Sequence, residues 1–336
     1  MTRHLLAILI ACFAIAPAHA VEAQDQEQPF KLTVKSHLVV LPVTVRNSKG
    51  ELMQTLSKDD FELTEDGRPQ TIKYFDLEKD KPLSLGLLVD MSGSVRSFVK
   101  KEHAASNVFF NAMLQKNEDT AFLVRFDSAV TMLQPPTNSQ DDLHAALEKL
   151  EEPHLPQRAF TEPPGAKPLP PPGTLLYDSI VVVCDLVTKD IPGRKALVIL
   201  TDGEDSGSQK SLAAAIEATQ RTDTVVYTIL YTNRGGGKDP AYFPGAAHLA
   251  SEKPKLMGEA VLELLSSTTG GHEYEVSSAL PLEAIYAQIA EEMRMQYTLA
   301  YIPAKSDAKP GYRKIELKTK LKGMNIQTRF GYYAKE

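Results

Sequence analysis

The sequence is poor in the features that would mark it out as a membrane, nucleic-acid or disulfide-rich protein. It has two cysteines in 336 residues. Cys12 falls in the N-terminal leader and leaves with it if cleavage follows Ala20, so the mature chain, with Cys184 alone, excludes an intrachain disulfide. Cys184 lies among Ile180, Val181, Val183 and Val187 on a helical pattern with no basic neighbour, the setting of a buried, inert thiol. Beyond the leader no apolar run approaches the ~18 to 20 residues of a membrane span, so no transmembrane segment is expected in the mature chain. Clustered Lys and Arg are missing too, which argues against nucleic acid as a partner. No Gly-rich loop ends in Lys-Ser or Lys-Thr, and this removes the usual phosphate cradle of a nucleotide enzyme.

What is present begins with an address. Arg3 and His4 precede an apolar run from Leu5 to Ile15, and Ala18-His19-Ala20 has the small-x-small spacing of a signal-peptidase site. Residues 1–20 therefore read as a signal peptide, and the protein as exported, periplasmic or secreted. A second reading takes Leu9-Ile10-Ala11-Cys12 as a lipobox that would leave a lipid-anchored Cys12. Loss of Arg3 leaves 36 basic against 43 acidic residues, a formal charge of −7.

The hydrophobic pattern divides the mature chain into three. From 30 to 78 it alternates with period two, broken by turn signals at Asn47-Ser48-Lys49-Gly50 and Glu65-Asp66-Gly67-Arg68, as in antiparallel strands. From 82 to 295 wholly apolar strands (Leu83–Val89, Ala121–Phe126, Ala196–Leu200, Val225–Leu230) alternate with helical stretches. That is the grammar of a doubly wound, mostly parallel α/β sheet covered on both faces. From 296 to 336 the alternating β pattern returns, with runs at Tyr297–Tyr301, Ile315–Leu321 and Ile326–Tyr333. The expected architecture is an α/β domain inserted between N- and C-terminal β segments that pack together. Two long loops interrupt it. Pro153–Gly173 holds eight prolines, and Thr232–Lys255 is rich in Gly and Pro.

In such a sheet, ligands sit beyond the carboxyl ends of the strands. Two apolar strands end in aspartate there, as Leu87-Leu88-Val89-Asp90-Met91-Ser92-Gly93-Ser94 and as Val198-Ile199-Leu200-Thr201-Asp202-Gly203. Carboxylates with hydroxyls are hard oxygen donors, suited to Mg²⁺ or Mn²⁺ rather than zinc. Asp-Met-Ser-Gly-Ser after a strand resembles the Asp-x-Ser-x-Ser signature of the metal-ion-dependent adhesion site of von Willebrand factor A domains. Gly173-Thr174-Leu175-Leu176-Tyr177-Asp178 resembles that family's threonine loop, and Thr201-Asp202-Gly203 its last aspartate.

The resemblance implies a single Mg²⁺ (or Mn²⁺ or Ca²⁺) held by Asp90, Ser92, Ser94, Thr174 and Asp202. It also implies a protein partner that donates an Asp or Glu carboxylate to the ion, and an adhesion or scaffold role without enzymatic activity. The segments Asp59-Asp60-Phe61-Glu62-Leu63 and Gly311-Tyr312-Arg313-Lys314-Ile315 are similar to the ends of the acidobacterial group of such proteins. An alternative function is a structural envelope component whose metal only stabilises the fold. Glu204-Asp205-Ser206-Gly207 is similar to the serine segment of trypsin-like proteases, yet neither His103 nor His144 lies where a paired base would be needed. The segment reads instead as a polar loop capping the helix from Ser211.

Overall fold

The computed structural model describes residues 38–77, 81–92, 105–106, 109–111, 113–114, 118–151, 173–231, 258–303 and 311–334. The segment read as a signal peptide, Ser94, His103 and nearly all of both long loops lie outside them. Residues 37–336 form one compact unit.

The chain opens with β1 (Val39–Arg46), β2 (Phe61–Glu65), β3 (Arg68–Gln70) and β4 (Ile72–Leu77). The turn between β2 and β3 places Asp66 at φ 48° and Gly67 at φ 76°, the left-handed pair that a tight hairpin requires. There follow β5 (Leu83–Asp90), helical backbone around Phe109 and Phe110, β6 (Thr120–Phe126), β7 (Val130–Thr137) and α1 (Gln140–Glu148). Next come α2 (Leu176–Leu186), β8 (Arg194–Thr201), α3 (Leu212–Arg221), β9 (Thr224–Leu230), α4 (Gly258–Ser267), β10 (Glu273–Glu275) and α5 (Leu282–Arg294). The chain closes with β11 (Tyr297–Tyr301), β12 (Gly311–Thr319), β13 (Asn325–Gln327) and β14 (Gly331–Ala334).

The central sheet has the order β10-β9-β8-β5-β6-β7, parallel except for β7. Every residue of β5 and of β9 is buried, because helices cover both faces. On one face Leu143 and Leu147 of α1, Ile285 and Ile289 of α5, and Phe109 pack together, with Phe109 stacked on Tyr286 at 4.2 Å. On the other, Ile180 and Val183 of α2, Ala215 of α3, and Leu262 and Leu265 of α4 form a second core. Each such side chain contributes roughly 1.5 to 3 kcal/mol by leaving water, and together they fix which faces of the helices turn inward. Ser139 and Ser211 cap α1 and α3, each hydroxyl accepting an amide hydrogen bond at 3.2 Å.

The two terminal segments interleave strand by strand. One sheet runs β13-β1-β11-β4 and the other β14-β12-β2-β3, so each contains strands from both ends of the chain. Their shared core gathers Leu41, Val43, Phe61 and Leu63 with Tyr297, Leu299 and Ile315, and Phe75 stacks on Tyr297 at 4.9 Å. The buried Glu65 carboxylate accepts hydrogen bonds from the Tyr301 hydroxyl at 2.6 Å and the Tyr332 hydroxyl at 3.1 Å. A second buried carboxylate, Glu292 of α5, joins the first of these sheets to the central one. It accepts from Tyr227 of β9 (2.9 Å), Gln327 of β13 (2.8 Å) and Arg46 of β1 (3.2 Å).

The fold differs from the expected pattern in three places. β7 is not among the strands read from the sequence; it holds Pro135 and Pro136, which an edge strand tolerates since one of its sides needs no ladder hydrogen bonds. β10, at the other edge, is three residues long and too short to show a period. The run from Ile326 to Tyr333 is not one strand: Thr328, Arg329 and Phe330 cross from one flanking sheet to the other, with Thr328 and Arg329 buried at the crossing.

Candidate metal site at the carboxyl end of the sheet

β5 lies between β8 and β6, so the loops that leave these three strands meet at one end of the sheet. Asp90 closes β5 and is fully buried. Its carboxylate accepts a hydrogen bond from the Thr201 hydroxyl at 2.6 Å and from the Ser92 amide at 2.9 Å. Among the described residues the groups that hold it are hydroxyls and an amide. Burial, with the nearby Asp202 charge adding to it, pushes the Asp90 carboxyl up to about 6. A carboxylate kept out of water beside another carboxylate is an environment that a cation would relieve.

Asp202 follows Thr201 directly, and its side chain accepts from the Glu204 amide at 3.1 Å. The backbone here passes unusually close to α4. Gly203 sits at φ 78°, and a Cβ there would meet the Gly258 carbonyl oxygen at 2.4 Å; a Cβ on Gly258 would meet the Asp202 carbonyl oxygen at 2.1 Å. Only glycine at both positions permits this approach, which holds the Asp202 turn against the start of α4.

Thr174 is placed by contacts from both sides of β5. On the β6 side, the Leu175 amide donates to the Asp127 carbonyl at 2.9 Å. On the β8 side, the Thr174 amide donates to the Ser206 hydroxyl at 3.0 Å, and its carbonyl accepts from the amides of Ser206 (3.2 Å) and Gly207 (3.0 Å). Asp205 accepts from the Tyr177 amide at 3.1 Å, and in return Asp178 accepts from the amides of Gln209 (3.0 Å) and Lys210 (2.8 Å). The segment 204–210 therefore does more than lead into α3, which Ser211 caps by itself. It grips the threonine loop and caps the first turn of α2. Ser206 is occupied as a hydrogen-bond acceptor in that grip, and His144 lies in α1.

Of the residues singled out in the sequence, Asp90, Ser92, Thr174 and Asp202 are on loops brought to the same end of the sheet; Ser94 lies outside the described residues. Sequence reasoning did not find Asp127, Asp178, Asp205 and Ser206 as supports. Asp127 had a signal, since it too follows an apolar strand at its carboxyl end. The other three had none, because their role is a pairing of loops far apart in sequence. Cys184 is fully buried, and burial pushes its thiol up to about 11. Among the described residues no helix is long and apolar enough to cross a membrane, and no group of three or more His, Cys, Asp or Glu side chains is placed to hold a metal ion. The candidate donor set is of another kind, two carboxylates with hydroxyls.

No family model matches the chain, and no curated protein matches it. Several solved structures are similar to it in fold. An aerotolerance-related membrane protein from Bacteroides fragilis is 15% identical, matching 63% of this chain and 98% of that one with a TM-score of 0.42. The conserved hypothetical protein BatB from Bacteroides thetaiotaomicron is 14% identical over 63% of this chain and 97% of its own, with a TM-score of 0.41. The vWF domain of the type V pili tip protein Mfa5 from Porphyromonas gingivalis is 12% identical over 63% and 94%, with a TM-score of 0.42. Values this low bear no weight for what the chain binds. With its parallel strands in the order β10-β9-β8-β5-β6, an antiparallel β7 at the edge, and the Asp90, Thr174 and Asp202 loops together at the carboxyl end, the chain has a von Willebrand factor A-like fold.

Proposed function

We propose that the chain is an exported, divalent-cation-dependent protein-binding module. One Mg²⁺, or Mn²⁺ or Ca²⁺ in its place, is held by Asp90, Ser92, Ser94, Thr174 and Asp202, and a protein partner completes the ion's oxygen shell with an Asp or Glu carboxylate. The observation that carries this reading is Asp90: a buried carboxylate at the end of the central strand, held by a hydroxyl and an amide and set against the charge of Asp202.

The residues present fit such an ion. Their donors are all oxygen, which suits Mg²⁺ and Ca²⁺. When bound, the ion would supply a positive centre that attracts an anionic side chain. The chain's own residues prepare the place for it. Thr201 and the Ser92 amide orient the Asp90 carboxylate, the glycine pair fixes the Asp202 turn, and the Ser206 grip holds the Thr174 loop. Two carboxylates and three hydroxyls leave a divalent ion short of its six oxygen ligands, so the incoming carboxylate has a vacancy to fill. The chemistry is recognition, with no nucleophile or acid–base pair among these residues.

Calorimetric titration of Mg²⁺ into the metal-free mature protein, followed by capture of envelope proteins in Mg²⁺ and in chelator, tests this. Asp90→Ala should remove ion binding, and Thr174→Ala should weaken capture while leaving the fold intact. Capture that is unchanged by chelation and by both substitutions would sink the reading. If chelation instead lowers only the melting temperature, the metal is a structural support of an envelope component.

A further inference from the structure

At the opposite end of the central sheet, where β5, β8 and β9 begin, a cavity of about 280 Å³ lies between that sheet and the crossing from β13 to β14. We infer that this cavity binds a small oxyanion that also carries a hydrogen-bond donor, the chemistry of hydrogenphosphate or of a 2-hydroxycarboxylate.

The charge around it is lopsided. Lys81, Arg194, Lys195 and Arg329 line it against the single carboxylate of Asp223. Arg329 is the most telling of these. Its side chain is 6% exposed, while Asp223, whose carboxylate stands 3.8 Å away, is 59% exposed and turned to water. Burial lowers the affinity of the Arg329 guanidinium for its proton, and Asp223 only partly opposes this. Its Nε finds no hydrogen-bond partner among the described residues. A buried guanidinium with an unused donor is costly unless something anionic meets it. Lys195 is half-buried, and burial depresses its ammonium; it donates to the Ile191 carbonyl at 3.2 Å, which leaves further donors of the ammonium for a ligand.

Gln220 supplies the second half of the inference. Its amide nitrogen donates to the carbonyls of Thr268 (3.0 Å) and Gly331 (3.2 Å), so the orientation of the amide is fixed and Oε1 is an acceptor. That oxygen is buried and has no hydrogen-bond partner among the described residues. Arginine and lysine call for an anion, and Gln220 calls for a donor. Hydrogenphosphate offers both on one centre, and a 2-hydroxy acid offers them on adjacent carbons. The cavity lies near the lower end of the volumes small ligands occupy, which excludes a nucleotide or a peptide.

The test is calorimetric titration of the full mature chain with inorganic phosphate, with lactate and with acetate, each with and without chelator. Phosphate or lactate should bind saturably at one site per chain, indifferent to chelator, with acetate at least about tenfold weaker for want of a donor. Whichever of the two binds identifies the source of the oxyanion. Lys195→Gln should weaken binding about tenfold, and Arg329→Met should abolish it. If Arg329→Met does not fold, Lys195→Gln decides, since that side chain is only half-buried. The inference is overturned if neither phosphate nor lactate binds the folded wild type, if acetate binds as well as both, or if Lys195→Gln binds as the wild type does.

Discussion

The two ends of the central sheet gather a different balance of charge on one scaffold. At the carboxyl end of β5 and β8 stand Asp90 and Asp202 with hydroxyls and amides around them; at the amino end of the same strands stand Lys81, Arg194 and Lys195, faced by Arg329. The helices account for part of this. In a parallel α/β sheet, helix amino termini gather at the carboxyl ends of strands and helix carboxyl termini at the other, where carbonyls attract cations. Arg194 obeys that rule by donating to the Met293 carbonyl in the last turn of α5. Arg329 does not, since it comes from the flanking sheets, and Asp90 runs against its own burial. Where a charge goes beyond what the helices ask for, a ligand is the physical reason available.

The comparison breaks most completely if the flanking sheets fail. Deleting residues 296–336 removes β11 from between β1 and β4 and β12 from beside β2. Hydrogen exchange should then show β1 and β2 unprotected, and the amino-end cavity should vanish with Arg329. Protection of β1 after this deletion would mean that the N-terminal strands are stable alone.

A narrower break is Gly258→Ala. The added Cβ would meet the Asp202 backbone oxygen, so the start of α4 must move away from the Asp202 turn. A stability loss of about 2 kcal/mol or more is expected, with weakened Mg²⁺ binding and unchanged phosphate binding. Equal damage at both ends would show that the two are coupled.

Asp90→Asn sharpens the contrast from the other side. It keeps the shape and removes the buried charge, so the metal-free protein should melt higher than the wild type, while the rise in melting temperature that Mg²⁺ gives the wild type is lost. A metal-free variant that melts well below the wild type would show that the Asp90 charge is already balanced within the protein.

The smallest effect concerns pH. Glu273 of β10, partly buried and close to Glu259, Glu263 and Glu275, has its carboxyl pushed up to about 7, by burial first and then by those charges. A folded-state value above the unfolded one near 4.5 means that its favourable contribution is complete below about pH 4.5 and is lost as pH rises through about 7. Glu273→Gln should therefore be more stable than the wild type at pH 8 and no more stable at pH 4. Because solvent screens a partly exposed group, the gain should be under about 1 kcal/mol. Chemical denaturation at the two pH values measures it, and an equal gain at both would point to packing rather than charge.

Much of the carboxyl end was legible in the residues. Leu83–Val89 and Ala196–Leu200 are apolar throughout because both faces of their sheet are covered, and the aspartates that end them stand where a parallel sheet opens to solvent. The same logic reached Thr174 only through its resemblance to a known loop. What grips Thr174 was hidden: Ser206 and Asp205 read as a polar stretch of loop, and nothing local shows that their partners are Thr174 and Tyr177. The amino end was hidden altogether. Nothing in the sequence pattern singles out Lys81, Arg194 or Lys195, and Arg329 falls within the alternating run from Ile326 to Tyr333 with no local sign that it is buried.

The amino-acid sequence sufficed for most of the strands and helices, β7 and β10 excepted, and for which strands are covered on both faces, because period and apolar content are properties of neighbouring residues. It also determined that the candidate ligands at Asp90 and Asp202 fall at strand ends. It took the folded molecule to show that strands from opposite ends of the chain share two sheets, that Thr328 and Arg329 turn inward where the chain crosses between them, and that Glu292 ties the β13-β1-β11-β4 sheet to the central one. Those outcomes depend on pairing and burial between residues far apart in sequence, where a side chain's environment is set by what arrives from elsewhere rather than by its neighbours along the chain.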